Sequence, residues 1–124
     1  MSGVTALRGA TVVESDTEAA IDQATRELLV EMVDANDVEP AGIIAIWITQ
    51  TADLTAIHAP SAARGLGWSH VALLGGQEAT VVGQLARVVR ALMFVPSVNG
   101  VPHHVYIGAA RTLRPDLTGE GEDP

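Results

Sequence analysis

Two rhythms of hydrophobic and polar positions run along the 124 residues. Ile21, Ala24, Leu28 and Met32 recur at helical spacing, and Leu29 and Val33 widen the stripe. Ser15-Asp16-Thr17-Glu18 stands before them as a capping box, in which Ser15 accepts from the Glu18 amide and Glu18 reaches back. This pattern predicts a helix over 16–36, broken by Glu39-Pro40-Ala41-Gly42. Elsewhere the apolar runs are shorter and have strand length. Val4 to Val13 is rich in β-branched residues and predicts a strand, with Gly9 marking a bulge or a close backbone approach. Ile43 to Thr49 (IIAIWIT) predicts a central strand, and Val71 to Leu74 another buried strand that ends at Gly75-Gly76. Arg87 to Val95 predicts a long strand, with a helix as the alternative, and His103 to Ala110 a last one.

Between these runs, 51–60 reads as a loop and 61–66 as a short helix, while 77–86 fits either a turn or a helix. Pro96 to Pro102 (PSVNGVP) is turn chemistry with an Asn-Gly pair, and Arg111 to Leu117 leaves the core. One long helix, short helices and several strands predict an α+β domain with a mixed β-sheet. Short loops between the later strands require part of that sheet to be antiparallel. The unbroken apolar runs predict sheet surface covered on both faces, which a small chain achieves with neighbouring subunits. Residues 1–117 form the expected single domain, and 118–124 (TGEGEDP) an acidic, disordered tail.

Composition narrows the class. Hydrophobic residues make up 48% and charged residues 18%, as in a folded globular chain. No apolar stretch reaches the roughly 18 residues that span a bilayer. The first residues lack the order of a signal peptide, and there is no cysteine for disulfides or thiolate chemistry, so a soluble cytoplasmic protein is expected. A net charge of −8 argues against nucleic acid. Every cation is an arginine, at Arg8, Arg26, Arg64, Arg87, Arg90, Arg111 and Arg114. Arginine grips carboxylates bidentately and stays charged when partly desolvated, which suits a small acidic ligand.

Arg90 carries the sharpest question, because every other residue from Val88 to Val95 is apolar. An unpaired guanidinium in a core costs several kcal/mol, so Arg90 must be paired or must line a wet cavity. Histidines offer no metal site: His103 and His104 are adjacent and point to opposite faces of a strand, and His58 and His70 have no partner at ligand spacing. Gly65-Leu66-Gly67 and Gly75-Gly76 match no phosphate-binding or dinucleotide motif. Ser61 and Ser69 have no base at motif spacing. The residues left to carry chemistry are Arg8, Arg64, Glu78, Arg90, Tyr106 and Arg114. Singly, most have structural readings: Arg64 on a solvated helix face, Arg114 in a turn ion pair with Asp116, Glu78 at a helix start, Tyr106 in the core.

Taken in order, these residues resemble a known family. Leu7-Arg8-Gly9-Ala10-Thr11, Val13-Glu14 and the capped helix resemble the start of the monofunctional chorismate mutases of the Bacillus type. Asp53-Leu54, Arg64 before Gly67-Trp68, Gln77-Glu78, Arg90, His104-Val105-Tyr106 and Leu113-Arg114-Pro115-Asp116-Leu117 continue the resemblance over about residues 5–117. It implies a homotrimer with a barrel-like core and active sites between subunits, converting chorismate to prephenate without metal or cofactor. By position, Arg90 resembles the arginine at the ether oxygen of the breaking bond. Arg8 and Tyr106 resemble the holders of the side-chain carboxylate, and Glu78 the acceptor for the ring hydroxyl. Arg64 and Arg114 resemble residues at the site mouth, Arg64 coming from the neighbouring subunit. His58, Leu73, Leu74 and Gly75 fall on the substrate-binding wall. Three positions depart from the family: Gly75 replaces a cysteine, Ala79 a methionine and His58 an aromatic residue. The alternatives are therefore a diverged homologue acting on another chorismate-like dicarboxylate, and a non-catalytic dicarboxylate-binding homologue.

Overall fold

The computed structural model describes residues 3–118; the tail expected over 118–124 lies almost wholly outside them. Strands β1 (Val4–Val12), β2 (Ala45–Gln50), β3 (Ala72–Gln77), β4 (Val88–Pro96) and β5 (Val105–Ile107) form one sheet in the order β3-β2-β4-β1-β5. Helix α1 (Glu18–Ala35) joins β1 to β2, the short α2 (Ser61–Gly65) precedes β3, and α3 (Pro115–Thr118) follows β5. β1 pairs with β5 and β2 with β3 in parallel, whereas β4 is antiparallel to both β1 and β2. The sheet is mixed, as expected, but β3 and β4 are not neighbours: β2 lies between them. The antiparallel character thus comes from long-range pairing and not from hairpins.

The strands alternate more than their sequences suggest. On one face Leu7, Ile46, Ile48, Val89, Met93 and Val95 are buried. They pack with Ile21, Leu28, Leu29, Met32 and Val33 of α1 in the main core. Burying each such side chain is worth roughly 1.5–3 kcal/mol, so packing and not intrinsic propensity holds α1 in place. The helix sits so close to β1 that a Cβ on Gly9 would lie 2.6 Å from Met32 Sδ. The glycine therefore marks a close approach. The opposite face carries Arg8, Trp47, Thr49, Arg90, Leu92 and Phe94, which are half-buried or exposed in the protomer.

Several local expectations need correction. The helix starts at Glu18, capped by Thr17, whose Oγ1 accepts from the Ala20 amide at 3.2 Å; Ser15 is not the cap. Asp16 explains the shift. Its carboxylate accepts from Thr55 N at 2.8 Å, Thr55 Oγ1 at 2.7 Å and Ala56 N at 2.9 Å, which ties the segment before the helix to the 51–60 loop. β3 runs through Gly75-Gly76 to Gln77 and is an edge strand, with Leu74 58% exposed. Residues 78–87 form a loop and not a helix. The last strand is only three residues long, because Gly108, at φ 61°, turns the chain into 3-10 helix.

The Asp16 cluster supplies a test. Hydrogen bonds, led by that from the Thr55 hydroxyl, hold its carboxyl below the usual value of 3.8, so the folded state favours the ionised form. Its stabilisation is complete above that value and is lost as pH falls through the lowered folded value. Asp16→Asn should lower the melting temperature at pH 7, and the gap to the parent should close as pH drops below 3.8.

Candidate active site

Strand register assembles the site. Thr49 pairs with Arg90, Arg90 with Ala10, and Ala10 with Tyr106. These four residues thus stand abreast across β2, β4, β1 and β5. One step along, Trp47 is opposite Leu92, and Leu92 opposite Arg8. Side chains two residues apart share a face, so Arg8 falls beside Arg90 on the side away from α1. A cavity of about 330 Å³ lies there, lined by Arg8, Trp47, Thr49, Arg90, Leu92 and Tyr106, with Arg114 arriving from the chain ahead of α3. Its size is within the range of small-molecule pockets.

Arg90 is paired. Its Nε lies 3.1 Å from Oε1 and 2.8 Å from Oε2 of Glu78, and the Thr49 hydroxyl donates to Oε2 at 2.7 Å. Glu78 itself is fixed because its amide donates to the Gln50 carbonyl at 2.9 Å, extending the β2–β3 ladder by one residue. The Arg90 side chain is 43% exposed and Glu78 19%, so the pair is not sealed in the core; Arg90 lines the cavity, and Glu78 stands behind it. Glu78 takes up only the Nε edge and leaves the outer fork of the guanidinium to an incoming anion.

Tyr106 is buried beneath the arginines. Burial pushes its phenol above 10, against the smaller opposing pull of Arg114, Arg8 and Arg90, so the hydroxyl stays protonated and can donate. Arg114 is bound bidentately by Asp116, Nε to Oδ1 at 3.0 Å and Nη2 to Oδ2 at 2.7 Å. The turn ion pair and the place on the cavity wall are therefore both realised. Two arginines held by carboxylates, a third arginine and a buried phenol thus gather at one cavity, an arrangement whose charge suits an anion.

The remaining expected residues are not in this cavity. Arg64 is exposed near the end of α2. Leu73 is half-buried against the main core, and Leu74 opens onto a separate apolar groove with Trp47, Phe94 and Ala45. A Cβ on Gly75 would fall 2.5 Å from His58 Nε2, so the imidazole occupies the space a side chain there would need. His58 and Gly75 are thus one coupled departure. The other histidines have separate partners: His70 faces the Pro40 carbonyl, His103 is held through its backbone by Asn36, and His104 accepts from the Arg8 amide. No group of three or more metal-ligating side chains gathers among the described residues. Thr49 and Trp47 were not among the expected site residues. Reading IIAIWIT as an alternating strand would have placed both on one face.

Known proteins are similar to this chain in sequence and fold. Residues 4–117 match the family described as chorismate mutase type I. A chorismate mutase AroH of Thermus thermophilus is 44% identical over 117 residues, covering 92% of this chain and 96% of that protein. Its Bacillus subtilis counterpart is 38% identical over 117 residues, covering 90% and 91%. A solved chorismate mutase from Clostridium thermocellum superposes with a TM-score of 0.79 at 37% identity, covering 87% of this chain and 98% of that one. The chain belongs to the type I chorismate mutase family. It is accordingly an isomerase, and a diverged or non-catalytic role is not favoured.

The Thr49–Glu78 contact generates a prediction. Thr49→Val keeps the shape but removes the donor, freeing Glu78 to rotate from Arg90. A hydrogen bond to a charged group is worth about 1.5–3 kcal/mol, less where water competes, so kcat/KM for chorismate should fall about tenfold. Thr49→Ser should retain most of the parent rate in the same steady-state assay.

Proposed function

We propose that this protein rearranges chorismate to prephenate in the crevice lined by Arg8, Glu78, Arg90 and Tyr106, using no metal and no cofactor. The observation that carries the assignment is Arg90 on β4, between β1 and β2, paired with Glu78 just after β3 and lining a cavity with Arg8, Tyr106 and Arg114. The substrate is a dianion with a ring hydroxyl, and the reaction is unimolecular. No nucleophile or general base is required. Binding selects the folded conformer in which the reacting carbons meet. As the C–O bond stretches, its ether oxygen gains negative charge, and the guanidinium of Arg90 is already aimed there. A preorganised donor of this kind is typically worth about 3–4 kcal/mol, because it need not reorganise during the reaction.

The other residues divide the binding. Arg8 and Tyr106 hold the side-chain carboxylate. Glu78 accepts from the ring hydroxyl; a carboxylate has about four acceptor sites, so it can do this while it holds Thr49 and Arg90. Arg114 stands at the mouth. Thr49 orients Glu78.

Under this reading the working form is a cytoplasmic homotrimer. Trp47 is 49% exposed and Leu74 58% exposed on the site face, beside an apolar groove of about 190 Å³. A neighbouring protomer would cover this surface and close the crevice. It would present Arg64 from the exposed end of α2, with His58 and the β3 edge at Leu74 and Gly75, as the opposing wall, while Leu73 supports that edge from the core side. Within the described residues no helix is long and apolar enough to cross a membrane.

Purified protein should consume chorismate, seen as loss of its ultraviolet absorbance, and form prephenate. Arg90→Ala should lower kcat at least 10²–10³-fold, as roughly expected for loss of a preorganised donor. Saturating chorismate without turnover by the parent protein would end the assignment. Light scattering should give a mass three times that of the 12.9 kDa chain, and a monomer would leave the crevice without its second wall.

A further inference from the structure

We propose that His104 is a positioning residue of this active site: its imidazole ties β1 to the segment entering β5 at Arg8, and so sets where Arg8 and Tyr106 stand relative to each other. The Arg8 amide donates to His104 Nδ1 at 3.0 Å. β1 and β5 pair from Gly9 opposite Val105 to Thr11 opposite Ile107. His104 therefore stands one step before this ladder, and its ring takes the place a further backbone carbonyl would have. The preceding residue is gripped from the helix side. Asn36, at the end of α1, donates to the His103 carbonyl at 2.8 Å and accepts from the His103 amide at 2.7 Å. The chain leaving the 96–102 turn is thus fastened at two successive residues, first to α1 and then to β1. Tyr106 enters the cavity two residues later. β5 itself is only three residues long, so this side-chain bond lengthens a short ladder.

The chemistry of the contact fixes the state of the ring. Nδ1 can accept only without a proton, so the imidazole is neutral and carries its hydrogen on Nε2. The charged and titratable groups facing it are Arg8 on β1, Arg114 ahead of α3 and His103 on its own segment, with Asp116 held by Arg114. Burial first, then Arg8, Arg114 and His103, hold the ring below its ordinary 6.5. Protonation would set an N–H against the Arg8 N–H, two donors facing each other, and the clamp would open. The same two arginines that suit an anionic ligand keep the clamp in its closed form.

The activity arm of the test rests on the chorismate mutase reading, whereas the exchange arm does not. His104→Asn places Oδ1 where Nδ1 stands and does not titrate; His104→Leu keeps bulk and removes the acceptor. At pH 7.5, KM for chorismate should rise about tenfold in His104→Leu and stay within about twofold of the parent in His104→Asn. kcat should move less than KM, because Arg8 holds a carboxylate in ground and transition states alike. As pH falls through the lowered folded value of His104, below its ordinary 6.5, KM should rise in the parent and not in His104→Asn. By NMR, hydrogen exchange at the Arg8 amide should be slow in the parent and in His104→Asn, and fast in His104→Leu. Three results would overturn the proposal: a His104→Leu protein with parental KM and parental Arg8 protection, a His104→Asn protein as impaired as His104→Leu, or an acid-side KM rise that persists in His104→Asn. A parent protein inert toward chorismate would remove the functional reading and leave the exchange comparison to decide the clamp.

Discussion

β4 runs against both of its neighbours, and that pairing decides which residues of this chain can act together. Its ladders with β1 and β2 set Thr49, Arg90 and Ala10 side by side, and the parallel β1–β5 pair adds Tyr106 to the row. A slip of one residue would turn Arg90 inward among Val89, Met93 and the α1 side chains. A lone guanidinium there costs several kcal/mol, so the charge enforces the register as firmly as the register places the charge. Packing of Leu7, Val89 and Met93 beneath α1 acts in the same direction. Core and crevice are the two faces of one hydrogen-bonded ladder.

The electrostatics follow from this arrangement. An acidic protein with a net charge of −8 concentrates Arg8, Arg90 and Arg114 in one cavity. Two of these cations carry their own carboxylate, Glu78 on Arg90 and Asp116 on Arg114. Each carboxylate fixes a long, flexible side chain before any ligand arrives and leaves part of its guanidinium fork open. Order is therefore imposed during folding and not during catalysis, which is what preorganisation requires.

How much of this could be read from the sequence depended on distance along the chain. α1 was visible because its stripe and its stop signal are local, although its first residue was misplaced: Asp16 is claimed by Thr55 and Ala56, nearly forty residues away. Arg90 was conspicuous because a cation in an apolar run violates a local rule. Arg8, Arg64, Glu78, Tyr106 and Arg114 were left as candidates by elimination, but each had a structural reading, and their roles came only from their order along the chain and its likeness to a family. Thr49 was missed because its meaning comes from standing opposite Arg90, a pairing across 41 residues that no local pattern encodes. β3 read as buried because Val71 to Leu74 is apolar, but apolar edge strands and interior strands have the same composition. The fit of His58 over Gly75 is likewise a contact between a loop and a strand, invisible until both are placed.

The loop that follows Glu78 is secured at both ends by partners outside it. Glu78 is bonded through its amide to Gln50. At the far end Arg87, at φ 54°, donates its amide to both oxygens of the Asp53 carboxylate and its Nε to the Val13 carbonyl at 2.8 Å. The stretch between the two anchors is held from its ends. The stretch from Ala79 to Ala86, with Val81 and Val82 fully out of the protomer core, can thus lengthen, shorten or change composition while the acid at its start and the strand at its end hold still. Evolution, or a protein engineer, has here a segment through which the architecture can acquire new neighbours while both of its ends stay fixed.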